Sequence, residues 1–225
     1  MKHKQRKSAA ELFFRWSVYF LGLLTMSLGI VLTIRAELGV SPWDVLHIGL
    51  YNQFGLTIGS WAIIVGGVIL TLSGLLTKKW PQLGAFVNML TVGVFIDLYL
   101  LLPFLKTPTS IVGQLFMLLI GMMVMGYGIG IYISARCGAG PRDSLMMALV
   151  ETSKKPISVI RGSIEVFVLL VGWLLGGPVF FGTILLTLTV GYIVGKTIPQ
   201  CQETTDQLLI KLLNRQKENV HQVAR

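Results

Sequence analysis

The stretch GVSPWD at residues 39–44 stands just after a long apolar run, and GAGPRD at 138–143 stands just after another, 99 residues further on. The match extends outward from Gly-x-x-Pro-x-Asp at the same offset of 99. Gly22 pairs with Gly121, Met26 with Met125, Gly29 with Gly128, Ala36 with Ala135 and Leu46 with Leu145. Further on the offset becomes 98, where GAFVNMLTVG at 84–93 meets GTILLTLTVG at 182–191. Leu and Ile identities in apolar helices arise by chance. Gly, Pro and Asp in one order at one spacing do not, so the chain reads as a duplication.

The 225 residues are 53% hydrophobic and 13% charged, with mean hydropathy +0.73. Soluble domains carry about 25% charged residues, and a chain this apolar could not cover itself in water. The class is an integral membrane protein. A span takes about 20 mostly apolar residues, and six stretches qualify, near 14–34, 59–77, 83–104, 110–133, 158–176 and 179–197. The first follows the basic MKHKQRK, but it is longer than a signal h-region and further spans follow, so it reads as an uncleaved span. The expected organisation is one membrane domain over 1–225, with repeat 1 over about 12–104, repeat 2 over about 110–200 and a tail from 201 to 225. TTDQLLIKLLNRQ in that tail has helical spacing, with Leu208, Leu209, Leu212 and Leu213 on one stripe. It admits two readings, a helix on the membrane surface or a soluble helical tail.

Orientation follows from Lys and Arg. With the N-terminus in the cytoplasm, 17 of the 19 cations fall on the cytoplasmic side and only Arg35 and Lys106 fall outside. That is the positive-inside pattern with both termini cytoplasmic. The net charge of +9 is thereby a topology signal, and it requires no nucleic-acid partner. Cys137 and Cys201 then face the reducing side, where free thiols are expected. His3, His47 and His221 are scattered, and no zinc spacing exists.

Three spans per repeat is an odd number, so the second copy starts on the opposite face. The expected fold is all-α and polytopic. It has about six transmembrane helices as two inverted three-helix repeats, each with a short Pro-initiated helix after its first span, as in many secondary transporters. The flanking charges agree, since Glu37 and Trp43 have become Arg136 and Arg142 in the second copy, as membrane sidedness requires.

Locally, Ser41 suits an N-cap, Pro42 the first helical position and Asp44 the third, where a carboxylate can reach back to free N–H groups. Gly140, Pro141 and Asp143 repeat the pattern after Gly138, as Gly39 precedes the first. The helices predicted over about 42–52 and 141–151 are too short to span. They lie on the surface as capped helices, or they enter the bilayer as half-helices whose N-termini offer donors and a positive dipole end. On the second reading Ser41, Asp44 and Asp143 become candidates for substrate or ion binding, with Gly39, Pro42, Gly138 and Pro141 as the structural frame. Asp97 and Glu165 are acids within spans, where charge is costly, so they join the candidates. Neither recurs in the other repeat. Each can instead be a structural acid, bonded to a nearby hydroxyl or, for Glu165, paired with Arg161 at i,i+4. Asn88 reads as helix–helix glue. The glycines of the first and fourth spans read as close-packing positions, and Met122, Met123, Met125, Met146 and Met147 as gap fillers.

On RAELGVSPWDVL, ARCGAGPRDSLMMAL and the basic N-terminus, the whole chain resembles the YczE/YyaS/YitT-type bacterial integral membrane proteins, nearest their YczE-like branch. The resemblance implies a bacterial plasma-membrane protein and carries no catalytic residues over. The function expected from the repeat and the broken-helix pair is secondary transport or export of a small solute. The alternative is a non-transporting scaffold, sensor or assembly factor, with contacts on residues 134–161 and 201–225. No His–Glu metal motif, close carboxylate pair or P-loop is present, so neither an enzyme nor a cofactor or metal is expected. The expected partners are the bilayer, a small molecule or ion, and a second copy or another membrane protein.

Overall fold

The computed structural model describes the backbone of residues 9–223 and the side chains of residues 9–214. Lys2, His3, Lys4, Arg6, Lys7 and Arg225 lie outside the described residues, as do the side chains of Arg215, Lys217 and His221. Every described element is a helix: α1 (Ala9–Arg35), α2 (Pro42–Phe54), α3 (Ile58–Thr77), α4 (Leu83–Leu100), α5 (Ile111–Ser134), α6 (Pro141–Ser153), α7 (Ile157–Leu174) and α8 (Phe181–Val223). Six of them, all but α2 and α6, are long and apolar enough to cross a membrane. Their outer faces are apolar and exposed, as at Phe116, Phe167, Leu174 and Leu188. Only lipid suits such a surface.

Water-driven burial does not hold helices together in lipid, so close packing must. The centre is the α1–α5 pair. A Cβ placed on Gly22 would overlap the backbone of Tyr132, one on Gly29 that of Met125, one on Gly128 that of Met26, and one on Gly121 Thr33 and Leu32. Residue numbers rise on one helix as they fall on the other, so the two run antiparallel. Four glycines spaced along this line let the backbones touch. Around it Tyr19, Leu23, Ile30, Val31, Leu118 and Met122 are buried. Helix α4 packs on α1, and α8 packs on α5. The Tyr19 hydroxyl donates to the Gly84 carbonyl at 2.6 Å, tying α1 to the start of α4.

The short helices attach to the helices of the opposite half, α2 to α7 and α6 to α3. Gly172 of α7 lies against Val45 and Leu46 of α2, and the Ser73 hydroxyl of α3 donates to the Ser144 carbonyl of α6 at 3.0 Å. Leu46 and Leu145, Val65 and Ile164, and Ile69 and Val168 gather around Trp43 in one cluster. The turns match as well. Glu37 and Arg136 share a left-handed backbone, each with a φ of 55°. Gly39 and Gly138 follow with φ of 109° and 146°, conformations that only glycine adopts without strain. Gly39 presses on Thr183 at the start of α8, and Gly138 on Gly84 at the start of α4.

The tail is helical, and it continues the last span. It forms no separate helix, because α8 runs unbroken through Pro199 for 43 residues. At a rise of about 1.5 Å per residue that is a rod of about 65 Å. Its first polar turns have partners. Thr205 shares a 2.8 Å hydrogen bond with Ser134, Arg136 pairs with Asp206 at 2.8 Å, and Leu209 is buried. Of the Leu stripe, Leu209 faces the rest of the protein and Leu208 is exposed.

Candidate functional site

Helices α2 and α6 have 13 residues each. Their length is about 20 Å, against a hydrocarbon core of about 30 Å. Their N-terminal ends point inward. Pro42, Trp43, Asp44, Val45 and His47 are buried, whereas Tyr51, Asn52, Gln53 and Phe54 are exposed. Pro141 is likewise buried, and Glu151, Thr152 and Ser153 are more open to the outside. Both starts open onto one cavity of about 310 Å³, lined by Ser41, Pro42 and Trp43 from one and Gly140, Pro141 and Asp143 from the other. The walls are largely apolar, from Met26, Ile30, Met125 and Val190, with polar groups of Asn88, Tyr132, Arg161 and Glu165 set among them.

The charges are arranged across the two motifs. Asp44 is fully buried, and its Oδ2 accepts from the Ser41 hydroxyl at 2.5 Å. Its Oδ1 makes no hydrogen bond. That oxygen stands 3.7 Å from His47 Nδ1 and 3.8 Å from Arg142 Nη2. His47 Nδ1 is also buried without a hydrogen bond. The Arg142 guanidinium lies 5.0 Å from the Trp43 ring centre, a cation–π distance. Arg142 and Trp43 hold the same place in their motifs and touch each other. Asp143 Oδ2 accepts from the Tyr132 hydroxyl at 3.2 Å. Arg161 and Glu165 are bonded at 3.0 Å, the i,i+4 pairing read from the sequence.

The capping chemistry at Ser41 departs from expectation. The residue occupies the N-cap with Pro42 next, but its side chain caps no N–H. The hydroxyl donates to Asp44 instead, and Asp44 faces His47 and Arg142 rather than the helix end. The drawn-in cation explains this. A buried carboxylate beside an arginine gains more from that charge than from a local amide.

Of the sequence candidates, Ser41, Asp143 and Glu165 line the cavity, and Asp44 sits behind Ser41, His47 and Arg142. Asp97 is elsewhere. Its Oδ1 accepts from the Gly59 N–H at 2.8 Å and its Oδ2 from the Thr57 hydroxyl at 2.5 Å, so α4 supplies a carboxylate cap to the start of α3. Its partners come from the start of α3 rather than from its own helix. Asp97→Ala should lower stability by about 1–2 kcal/mol, the worth of a lost helix cap, measured as the unfolding midpoint in detergent. Sequence reasoning passed over His47, Arg142, Trp43 and Tyr132. The i,i+3 spacing of Asp44 and His47 puts them on one face, a signal the sequence did hold. Among the described residues no three His, Cys, Asp or Glu side chains stand close enough to hold a metal ion.

Fold and cavity define a polytopic α-helical membrane protein with two short, Pro-initiated helices whose starts meet at one largely apolar cavity set with a few polar groups. The chain belongs to the DUF6198 family, a family of unknown function, whose profile matches residues 13–199. It is 44% identical to the uncharacterized membrane protein YczE of Bacillus subtilis over 192 residues, 84% of this chain and 88% of that one. It is 33% identical to YyaS of the same organism over 175 residues, covering 76% and 86% of the two chains. An uncharacterized protein of Haemophilus influenzae is 32% identical over 178 residues, covering 79% and 80%. No solved structure matches the chain.

Proposed function

We propose that this protein is a bacterial plasma-membrane secondary transporter or exporter of a small solute, built as two inverted repeats with both termini in the cytoplasm. The single observation that carries the reading is the meeting of both Pro-initiated helix starts at one cavity within the bundle. Discontinuous helices at matching places in two halves are the feature from which transporters build midplane sites. Several observations support the inverted frame. The α1–α5 contacts are exchanged in pairs by the repeat offset, Gly22–Tyr132 for Gly121–Thr33 and Gly29–Met125 for Gly128–Met26. Trp43 and Arg142 meet where a two-fold axis in the membrane plane would pass. The site groups are Asp44, Ser41, Asp143, Arg142, His47 and Glu165.

The cavity suits a molecule of modest size with an apolar body and a polar or charged end. The Asp143 and Glu165 carboxylates are held by Tyr132 and Arg161, while the Arg142 side chain is two-fifths exposed and is held only by its long contact with Asp44 and by the Trp43 ring. The test is a thermal-shift screen of the purified protein against small charged and zwitterionic solutes, with hits measured for uptake into proteoliposomes. Wild type is expected to be stabilised by, and to carry, at least one solute. Asp44→Asn and Asp143→Asn should cut that uptake by about ten-fold or more, the loss of one charge-assisted contact. Unchanged uptake in both variants, with normal expression, would remove the site.

The scaffold reading rests on one observation, the continuation of α8 beyond the last apolar stretch. Removing residues 215–225 distinguishes the two. The transporter keeps its uptake, and a scaffold loses its function while still inserting.

A further inference from the structure

Helices α3 and α4 form a tight pair. A Cβ on Gly93 would overlap Ile63 and the Gly59 carbonyl, one on Gly59 would overlap the Gly93 carbonyl, and one on Gly66 would press on Met89. Asp97 closes one end of this pair on Gly59 and Thr57.

The repeat offsets give the helix residues of this pair counterparts on α7 and α8. Gly59, Ile63 and Gly66 correspond to Ser158, Gly162 and Glu165, and Met89, Gly93 and Asp97 to Thr187, Gly191 and Gly195. The counterpart contact is absent. Nothing lies within 4 Å of a Cβ on Gly162, Gly191 or Gly195, and α7 is the least buried of the six long helices. The space between them is continuous with the cavity, because Arg161, Ile164 and Glu165 line it from α7 and Thr187, Gly191 and Val194 from α8. His47, whose buried Nδ1 makes no hydrogen bond, lines that same cavity.

We infer that the faces of α7 and α8 bearing Gly162 and Gly191 are each other's missing partners, and that they close as α3 and α4 do here while α3 and α4 part. The inference rests on the repeat and transporter reading above, and gives that site its two-sided access. In the arrangement seen here, the α3–α4 side is shut and the α7–α8 side, which carries Lys154, Lys155 and Arg161, is open. Closing α7 on α8 brings Glu165 to Thr187 at the depth where Gly66 meets Met89. Opening α3 from α4 costs the two hydrogen bonds of Asp97. That acid has no counterpart, since Gly195 stands at its place, so it biases the pair of gates toward the present state. Asp97 is a latch, outside the cavity and coupled to it.

The test is the distance distribution between spin labels on Ser158→Cys and Gly195→Cys, in a background lacking Cys137 and Cys201, in liposomes of bacterial lipid. Two populations are expected, long as here and short as in a closed pair. Asp97→Ala, at the other end of the molecule, should raise the short population roughly ten-fold, the ratio two modest hydrogen bonds set. Gly191→Leu grows into open space, so it should fold as wild type does, hold only the long distance and ignore Asp97→Ala. A single distance unaffected by Asp97→Ala overturns the inference, as does a short population that survives in Gly191→Leu. The assay needs no solute, so moving gates without uptake of any solute would leave this inference standing and remove the transporter reading.

Discussion

Gly128→Ala is expected to destabilise the protein strongly, although alanine is the better helix former by about 1 kcal/mol. The added methyl would meet the amide nitrogen and Cα of Met26 rather than a side chain that can turn aside. Interiors pack as densely as crystals. Relief therefore requires α1 and α5 to separate along their whole crossing, undoing the matching approaches at Gly22, Gly29 and Gly121. Overpacking that side chains absorb costs about 1–3 kcal/mol, and more where they cannot. A fall in the unfolding midpoint of about 10 °C is the corresponding size for a chain this long. Gly67→Ala is the control. Its nearest neighbour would be the Met89 sulfur at 3.9 Å, ordinary contact with a flexible atom. Gly67→Ala should be neutral or stabilising, and fluorescence-detected size-exclusion during heating separates the two outcomes. If both glycines tolerate alanine equally, α1 and α5 do not cross as described.

The second large effect is at Arg142. Asp44 is buried without exposure, and its Oδ1 faces only His47 and Arg142. Removing one partner of a buried ion pair strands the other charge, at about 3–5 kcal/mol, a figure lowered here because Arg142 is two-fifths exposed, whereas replacing both with uncharged groups is often nearly neutral. Arg142→Met should therefore be strongly destabilising in the natural sequence and almost silent when combined with Asp44→Asn. The coupling from the four-protein cycle is expected at about 2–3 kcal/mol. The cation–π contact with Trp43 contributes a smaller share that survives Asp44→Asn. Equal cost of Arg142→Met in both backgrounds would mean the two charges do not meet.

Much of the fold was legible because it is written in local patterns. Apolar length marked the six long helices to within a few residues at most ends, and Pro42 and Pro141 marked the starts of the two short ones. The choice between surface and buried placement was not written there. Both short helices carry mixed faces, and only tertiary packing shows Pro42 and Pro141 buried and Phe54 and Glu151 outside. Helical spacing marked the tail as a helix, but its continuity with the last span through Pro199 was not written locally. Ser134 and Arg136, which hold the helix onward, lie some 70 residues away in sequence.

The site was legible as a frame rather than as a set of groups. Gly-x-x-Pro-x-Asp located its two edges, and Asp143, Glu165 and Ser41 proved to line it. Arg142 looked like a flanking charge that follows membrane sidedness, and Trp43 like its uncharged counterpart on the other face. Their meeting depends on two segments 99 residues apart folding to the same point. Asp97 drew attention for the opposite reason. An acid in an apolar run signals cost, but the sequence does not say whether a ligand or a helix end meets it, and here Gly59 and Thr57 do.

The most direct measurement is cross-linking between Trp43→Cys and Arg142→Cys in native membranes, in an Asp44→Asn background without Cys137 and Cys201. The charged and aromatic groups these replace lie 5.0 Å apart here. A short bis-thiol reagent should join the two cysteines within one chain. Two surface helices would behave differently. Each cysteine would react with impermeant reagents from its own side of the membrane, no cross-link would form, and the shared cavity would be contradicted.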